Sequence, residues 1–189
     1  MNIALLVLRL VPGLLFMGHG LQKLVPPKAA PKFLAANGPR GTGGFFEQLG
    51  MRPGVLLAVT AGLGELAGGF LIAAGLLTPV GTVLIAAVMT VAILRIHLSK
   101  GIWNAAGGFE FPLLMLTAAY VVSAIGPGNL SIDSWAGIGN WTGIHWAAQD
   151  AVRAGAAVGV GAFAGLLALG AGYLGRIAGR ERHKLSPVH

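Results

Sequence analysis

Residues 55–77 read VLLAVTAGLGELAGGFLIAAGLL, with Glu65 the one charge in an otherwise apolar or small-residue run. A bilayer core of about 30 Å is crossed by about 20 apolar helical residues, so this stretch predicts a transmembrane helix with a carboxylate inside it. Four further stretches follow the same reading. Residues 3–17 are apolar but interrupted by Arg9. Residues 79–96 carry no charge before Arg95. Residues 111–125 are short and wholly apolar or small, and 154–175 lie uncharged between Arg153 and Arg176. The fold class expected is an all-α, polytopic membrane helical bundle of five spans. The chain start, Met1-Asn2, lacks the positive segment of a signal peptide, so the first helix is read as retained.

Composition agrees. Hydrophobic residues make up 55% of the chain and charged residues 10%, with a mean hydropathy of +0.77. A water-soluble domain carries about 25% charged residues, and disordered segments are polar and charged. The 31 glycines form no collagen repeat. Cysteine is absent, which removes disulfides, thiol redox chemistry and Cys-held metal or iron–sulfur centres.

The net charge of +7 does not point to nucleic acid once the positions are read. Five spans place Lys23, Lys28, Lys32, Arg40, Arg52, Arg95, Lys100, Arg176, Arg180, Arg182 and Lys184 on one side of the membrane. Arg153 alone lies on the other. The positive-inside rule then sets the N-terminus outside and the C-terminus in the cytoplasm, with the basic face against lipid headgroups. Residues 45–50 are expected to form one amphipathic turn at that interface. Trp135, Trp141 and Trp146 suit an outer aromatic belt. The triplets at 129–131 and 140–142 match a glycosylation sequon, which matters only in a eukaryotic secretory host. In the last span, Gly155 with Gly159 and Gly161 with Gly165 form two GxxxG pairs. These suit close helix packing within the chain or, in a homo- or hetero-oligomer, against a partner.

Charges in hydrocarbon are expensive, so the intramembrane polar residues carry the functional question. With span one ending at His19 and span two starting at Val55, Arg9 and Glu65 each lie ten residues from the inner boundary, about 15 Å deep. That matching depth predicts an Arg9 to Glu65 ion pair. His19, Gln22, Lys23, Arg95, His97 and Glu110 gather near the inner face. Together they are expected to form a titratable pocket able to hydrogen-bond a quinone's carbonyl oxygens and exchange protons. His97, Glu110 and His19 take the catalytic, proton-exchanging role. Arg9, Glu65, Lys23 and Arg95 hold the cofactor. No metal is expected. A structural role for each residue, by snorkelling, capping or simple charge pairing, stands beside this reading. No GxGxxG, P-loop, HExxH or nucleophile elbow occurs.

The same residues carry a resemblance. Leu8-Arg9, Gly13, Phe16, His19-Gly20 and Lys23-Leu24 are similar to the opening helix of the DoxX family. Phe45-Phe46 and Leu49-Gly50 resemble its first loop. Gly62, Glu65, Gly68-Gly69, Gly75 and Thr78 resemble its second helix, and Met89, Ala92, His97 and Gly101 its third. Glu110-Phe111-Pro112-Leu113, Gly126-Pro127-Gly128, Ser131 and Asp133 resemble its fourth helix and exit. The resemblance implies a four-helix core over 1–133. An outer loop over 134–153, an additional helix over 154–178 and a basic tail over 179–189 follow it, although the family usually has four spans. It also implies a bacterial plasma membrane. The function implied is a membrane subunit of a redox system, linked to thiosulfate, thiol or oxidative-stress metabolism. Members related to the DoxD subunit of thiosulfate:quinone oxidoreductase are tied to quinone reduction. Others look like anchors for a superoxide dismutase and a sulfurtransferase. The rival reading is therefore a non-catalytic anchor that recruits soluble redox partners to the basic face. A transporter lacks the inverted repeat it would need.

Overall fold

The structure is a computed structural model, and it describes residues 2–138 and 151–185. Trp141, Trp146 and the 140–142 triplet lie outside the described residues. The helices are α1 (Asn2–Leu24), α2 (Gly38–Gln48), α3 (Gly54–Ala74), α4 (Thr78–Ala92), α5 (Glu110–Ile125), α6 (Ile132–Trp135) and α7 (Ala151–Leu185). α4 runs on through a π-helical turn, Ile93–His97, and a 3-10 turn, Leu98–Lys100. No strand occurs among the described residues.

Among the described residues, four stretches are long and apolar enough to cross a membrane: Ile3–Leu24, Gly54–Ala74, Thr78–Lys100 and Ala151–Gly179. α5 is apolar but spans 16 residues, about 24 Å of helix. Large apolar side chains lie on the outside of these helices, among them Val11 and Leu14 of α1, Leu63 and Phe70 of α3 and Phe163 and Leu167 of α7. In water such a surface would aggregate; in hydrocarbon it is the solvated face. The chain is a multi-pass α-helical membrane protein.

Antiparallel α1 and α3 form the tightest pair, and glycine makes it possible. A Cβ on Gly20 would stand 2.6 Å from Gly62 O, and one on Gly69 would stand 2.5 Å from Gly13 O. Backbones this close gain dispersion contact that lipid tails do not supply. α4 and α5 close the core around Phe16, Ile72, Ile85, Met89, Ala119 and Val122, with Thr82 Oγ1 donating to Ala119 O at 3.0 Å. α7 lies parallel to α4 in the groove beside it, Gly161 against Val83 and Ala86, Gly165 against Ala87 and Thr90. The inner GxxxG pair is thus used within the chain. Gly155 and Gly159 have nothing within 4 Å.

Some elements run longer than the sequence suggested. α1 continues past His19 to Leu24, because no proline lies between His19 and Pro26. α2 is a full helix rather than one turn, started by Pro39 in its first turn, where the missing N–H costs nothing. α7 continues to Leu185, since nothing in 176–185 stops it. Trp135 is 89% exposed.

The α1–α3 seam gives a direct test. Alanine favours a helix interior over glycine by about 1 kcal/mol. Gly18, with nothing within 4 Å, should therefore accept alanine without loss. Gly69→Ala should instead destabilise by about 1–3 kcal/mol through overpacking. Thermal unfolding in detergent micelles would show a lower midpoint for Gly69→Ala alone.

Candidate functional site

The glycine contacts fix the register of α1 against α3. Gly13 meets Gly69 and Ala73, and Gly20 meets Gly62 and Leu66. Glu65 therefore lies level with His19, and Arg9 lies level with Gly75, ten residues away or about 15 Å along the axis. The expected ion pair of Arg9 with Glu65 does not form. Its premise failed at the end of α1: with five more residues of helix below His19, Arg9 sits deeper than Glu65, nearer the opposite end.

Lys23 is the true partner of Glu65. Its Nζ lies 2.6 Å from Glu65 Oε2 and also donates to His19 O at 3.3 Å. Glu65 is 3% exposed. A carboxylate carried into an apolar bundle needs such a partner, since an isolated buried charge is prohibitively costly.

This pair sits at the polar end of an internal cavity of about 400 Å³, within the 300–1,000 Å³ usual for small-molecule sites. His19, Lys23, Glu65 and His97 line it, and the rest of the wall is mainly apolar, including Phe16, Met89, Phe111 and Met115. His19 Nδ1 donates to Gln22 Oε1 at 3.1 Å, and its ring meets Phe111 edge-on at 5.9 Å. His97 stands on the π-helical turn, where the widened helix re-aims side chains. Its Nδ1 lies 2.7 Å from Gly107 O. A carbonyl only accepts, so Nδ1 carries the hydrogen and Nε2 is left as the acceptor in the neutral ring.

Three other expected site residues lie elsewhere. Arg95 is exposed and donates to Leu49 O, tying the end of α4 to the α2–α3 connection. Glu110 Oε2 accepts from Asn104 N at 2.8 Å and pins the loop before α5. Arg9, 1% exposed, donates to Leu130 O at the far end of the bundle. There it faces Asp133, whose two oxygens accept from Leu77 N at 3.1 and 3.0 Å. Asp133 N in turn donates to Gly75 O at 3.1 Å, so α6 latches the α3–α4 hairpin. Gly75, at φ +64°, leaves the space Arg9 fills: a Cβ there would overlap its Nη1. Burial pushes the Asp133 carboxyl above its usual pKa, against the opposing pull of Leu77 N–H and Arg9.

The apolar wall of the cavity left little sign in the sequence. Ala164, Gly165, Ala168 and Leu169 of α7 line the cavity. The only sequence signal for them was the GxxxG pair that ends at Gly165. Among the described residues, no group of three His, Cys, Asp or Glu side chains could hold a metal.

A multi-pass α-helical bundle enclosing an apolar cavity, with a buried ion pair and two histidines at one end, defines a class of small membrane protein. The DoxX family profile matches residues 4–98, and the chain belongs to the DoxX family. The match covers α1 to α4 with Lys23, Glu65 and His97, while α5, α6 and α7 lie beyond it. No curated protein and no solved structure matches the chain.

Breaking the pair from one side leaves a lone buried charge. Lys23→Met is expected to cost about 3–5 kcal/mol, and adding Glu65→Gln should recover most of that loss. Detergent-micelle unfolding of the two singles and the double gives the coupling directly.

Proposed function

We propose that the protein is a membrane subunit of a redox system that binds a quinone, or a similarly small apolar molecule, in the cavity of the bundle. The observation that carries this reading is the chemistry of the cavity: hydrocarbon walls for a ring, and Lys23, Glu65, His19 and His97 gathered at one end. A quinone supplies two-electron, two-proton redox chemistry when bound. The chain's own residues bind and move protons. Lys23 Nζ donates a hydrogen bond to a carbonyl oxygen, and Glu65 Oε2 holds that ammonium in place. His97 Nε2 takes or gives a proton, its ring oriented by Gly107 O. His19 exchanges protons beside Lys23. Electrons come from a donor of the thiosulfate or thiol class, by way of a soluble partner, in keeping with the family.

Binding of a benzoquinone to purified protein in lipid nanodiscs tests this. His97→Ala and Glu65→Gln should each weaken binding about tenfold or more, the loss of one charge-assisted hydrogen bond or its orienting partner. Wild-type affinity in both variants would refute the site.

A second reading, the anchor, is favoured by one specific observation. The side chains of Arg52, Arg95 and Arg176 converge around Leu49 and Gly50 at the end of the bundle that also holds Lys23. This end suits recruitment of an acidic soluble partner, and salt-sensitive capture of such a partner beside an inert cavity would favour it.

The same charge distribution sets the orientation we propose in a bacterial plasma membrane. The N-terminus is outside and the basic end is cytoplasmic. The cysteine-free chain makes this easy to read. Ser99→Cys should react with an impermeant thiol reagent only from the cytoplasmic side, and Trp135→Cys only from outside; the reverse pattern would invert the topology.

A further inference from the structure

We infer that an amphiphile reaches the cavity sideways from the bilayer, its tail lying in a slot between α3 and α7. This rests on the proposed small-molecule reading of the same cavity.

Two observations place the slot. First, α3 and α7 meet at one end only. There Gly172 packs on Met51 and Leu57, Arg52 N donates to Gly172 O at 3.1 Å, and Gly175 approaches Arg52 O. Farther along, the small residues of α7 turn to α4 instead: Gly165 packs on Ala87 and Thr90, and Gly161 on Val83 and Ala86. The two helices therefore diverge like the sides of a wedge, with α4 as its floor. Second, Thr60 of α3 and Ala164 and Ala168 of α7 line the cavity and are also exposed on the outer surface. A residue that does both marks the mouth.

The mouth opens to hydrocarbon. Its rim is small and carries no free polar group, since Thr60 Oγ1 donates to Leu56 O in its own helix. Phe163, Leu166 and Leu167, which flank it on α7, are exposed large apolar residues. Toward the basic, aqueous end the wall is formed by two buried apolar side chains, Phe46 of α2 and Met51 of the α2–α3 connection. A molecule with an acceptor-bearing head and an apolar tail fits this shape. The head lies against Lys23 and His97, and the tail leaves through the slot into lipid. α7, which lies outside the family match, is thus the gatepost that sets how thick a tail passes.

The test uses two probes on the full chain in nanodiscs: a tailless benzoquinone and the same ring with a decyl tail. Ala168→Phe and, independently, Ala164→Phe fill the mouth with a side chain that lipid solvates, so the fold is kept. Each should weaken the tailed probe at least tenfold and leave the tailless probe within twofold. Gly155→Leu, on the same helix with nothing within 4 Å, should alter neither. Undiminished binding of the tailed probe in both mouth variants overturns the slot. Equal weakening of both probes overturns it too, because the head's site rather than the tail's path would then be blocked. Failure of the wild type to bind either probe removes the quinone reading itself, and the slot with it.

Discussion

An ionised carboxylate in hydrocarbon must be partnered, and that constraint organises this protein. Glu65 sits mid-helix as the one charge in residues 55–77, and Lys23 reaches it from the last turn of α1 with a 2.6 Å contact. The reach requires α1 and α3 to be nearly touching. That in turn requires glycine at 13, 20, 62 and 69, where side chains would meet opposing backbone or Lys23 and Leu24. Seam and ion pair support each other: the seam brings the charges together, and the pair offsets the cost of burying them.

The cavity follows from the same geometry. Because α1 and α3 spend their small faces on each other, the volume beside Glu65 is bordered by α4, α5 and α7, whose residues there are mainly apolar. α7 fills the groove beside α4 with glycine and alanine rather than with large side chains, which leaves space rather than a packed core. The polar end of that space is built from far-separated parts of the chain: His19 and Lys23 from α1, Glu65 from α3 and His97 from the π-helical continuation of α4. The opposite end of the bundle has its own polar arrangement, Arg9 with Leu130 O and Asp133 with the α3–α4 hairpin. Its role is visible in the bonds it makes: it clamps α6 to the turn.

The helices were legible in the sequence because hydropathy in a membrane is a strong, local signal, and α3 with its single charge is the clearest case. That His19, Lys23 and His97 gather near the inner face was legible too, whereas Glu65 read as about 15 Å deeper, level with Arg9. Pairing was not. Which basic residue meets Glu65 depends on the register of two helices, and the glycine contacts leave Arg9 ten residues, about 15 Å, from Glu65 along the axis, which hands the partnership to Lys23. Arg95 and Glu110 have the right depth but the wrong azimuth, which a π-helical turn and an irregular loop decide. The contribution of α7 to the cavity wall left no trace beyond its glycine spacing, since alanine on a membrane helix reads alike whether it faces lipid, protein or a void.

The proposed occupant of the space beside Lys23, Glu65 and His97 is a polar-headed apolar molecule. An experimental density map of the protein in nanodiscs, with a tailed benzoquinone present, examines it most directly. Ring density is expected in the cavity, with an oxygen in hydrogen-bonding range of Lys23 Nζ or His97 Nε2. A cavity closed by its own side chains, with the quinone confined to the bilayer outside, would contradict it.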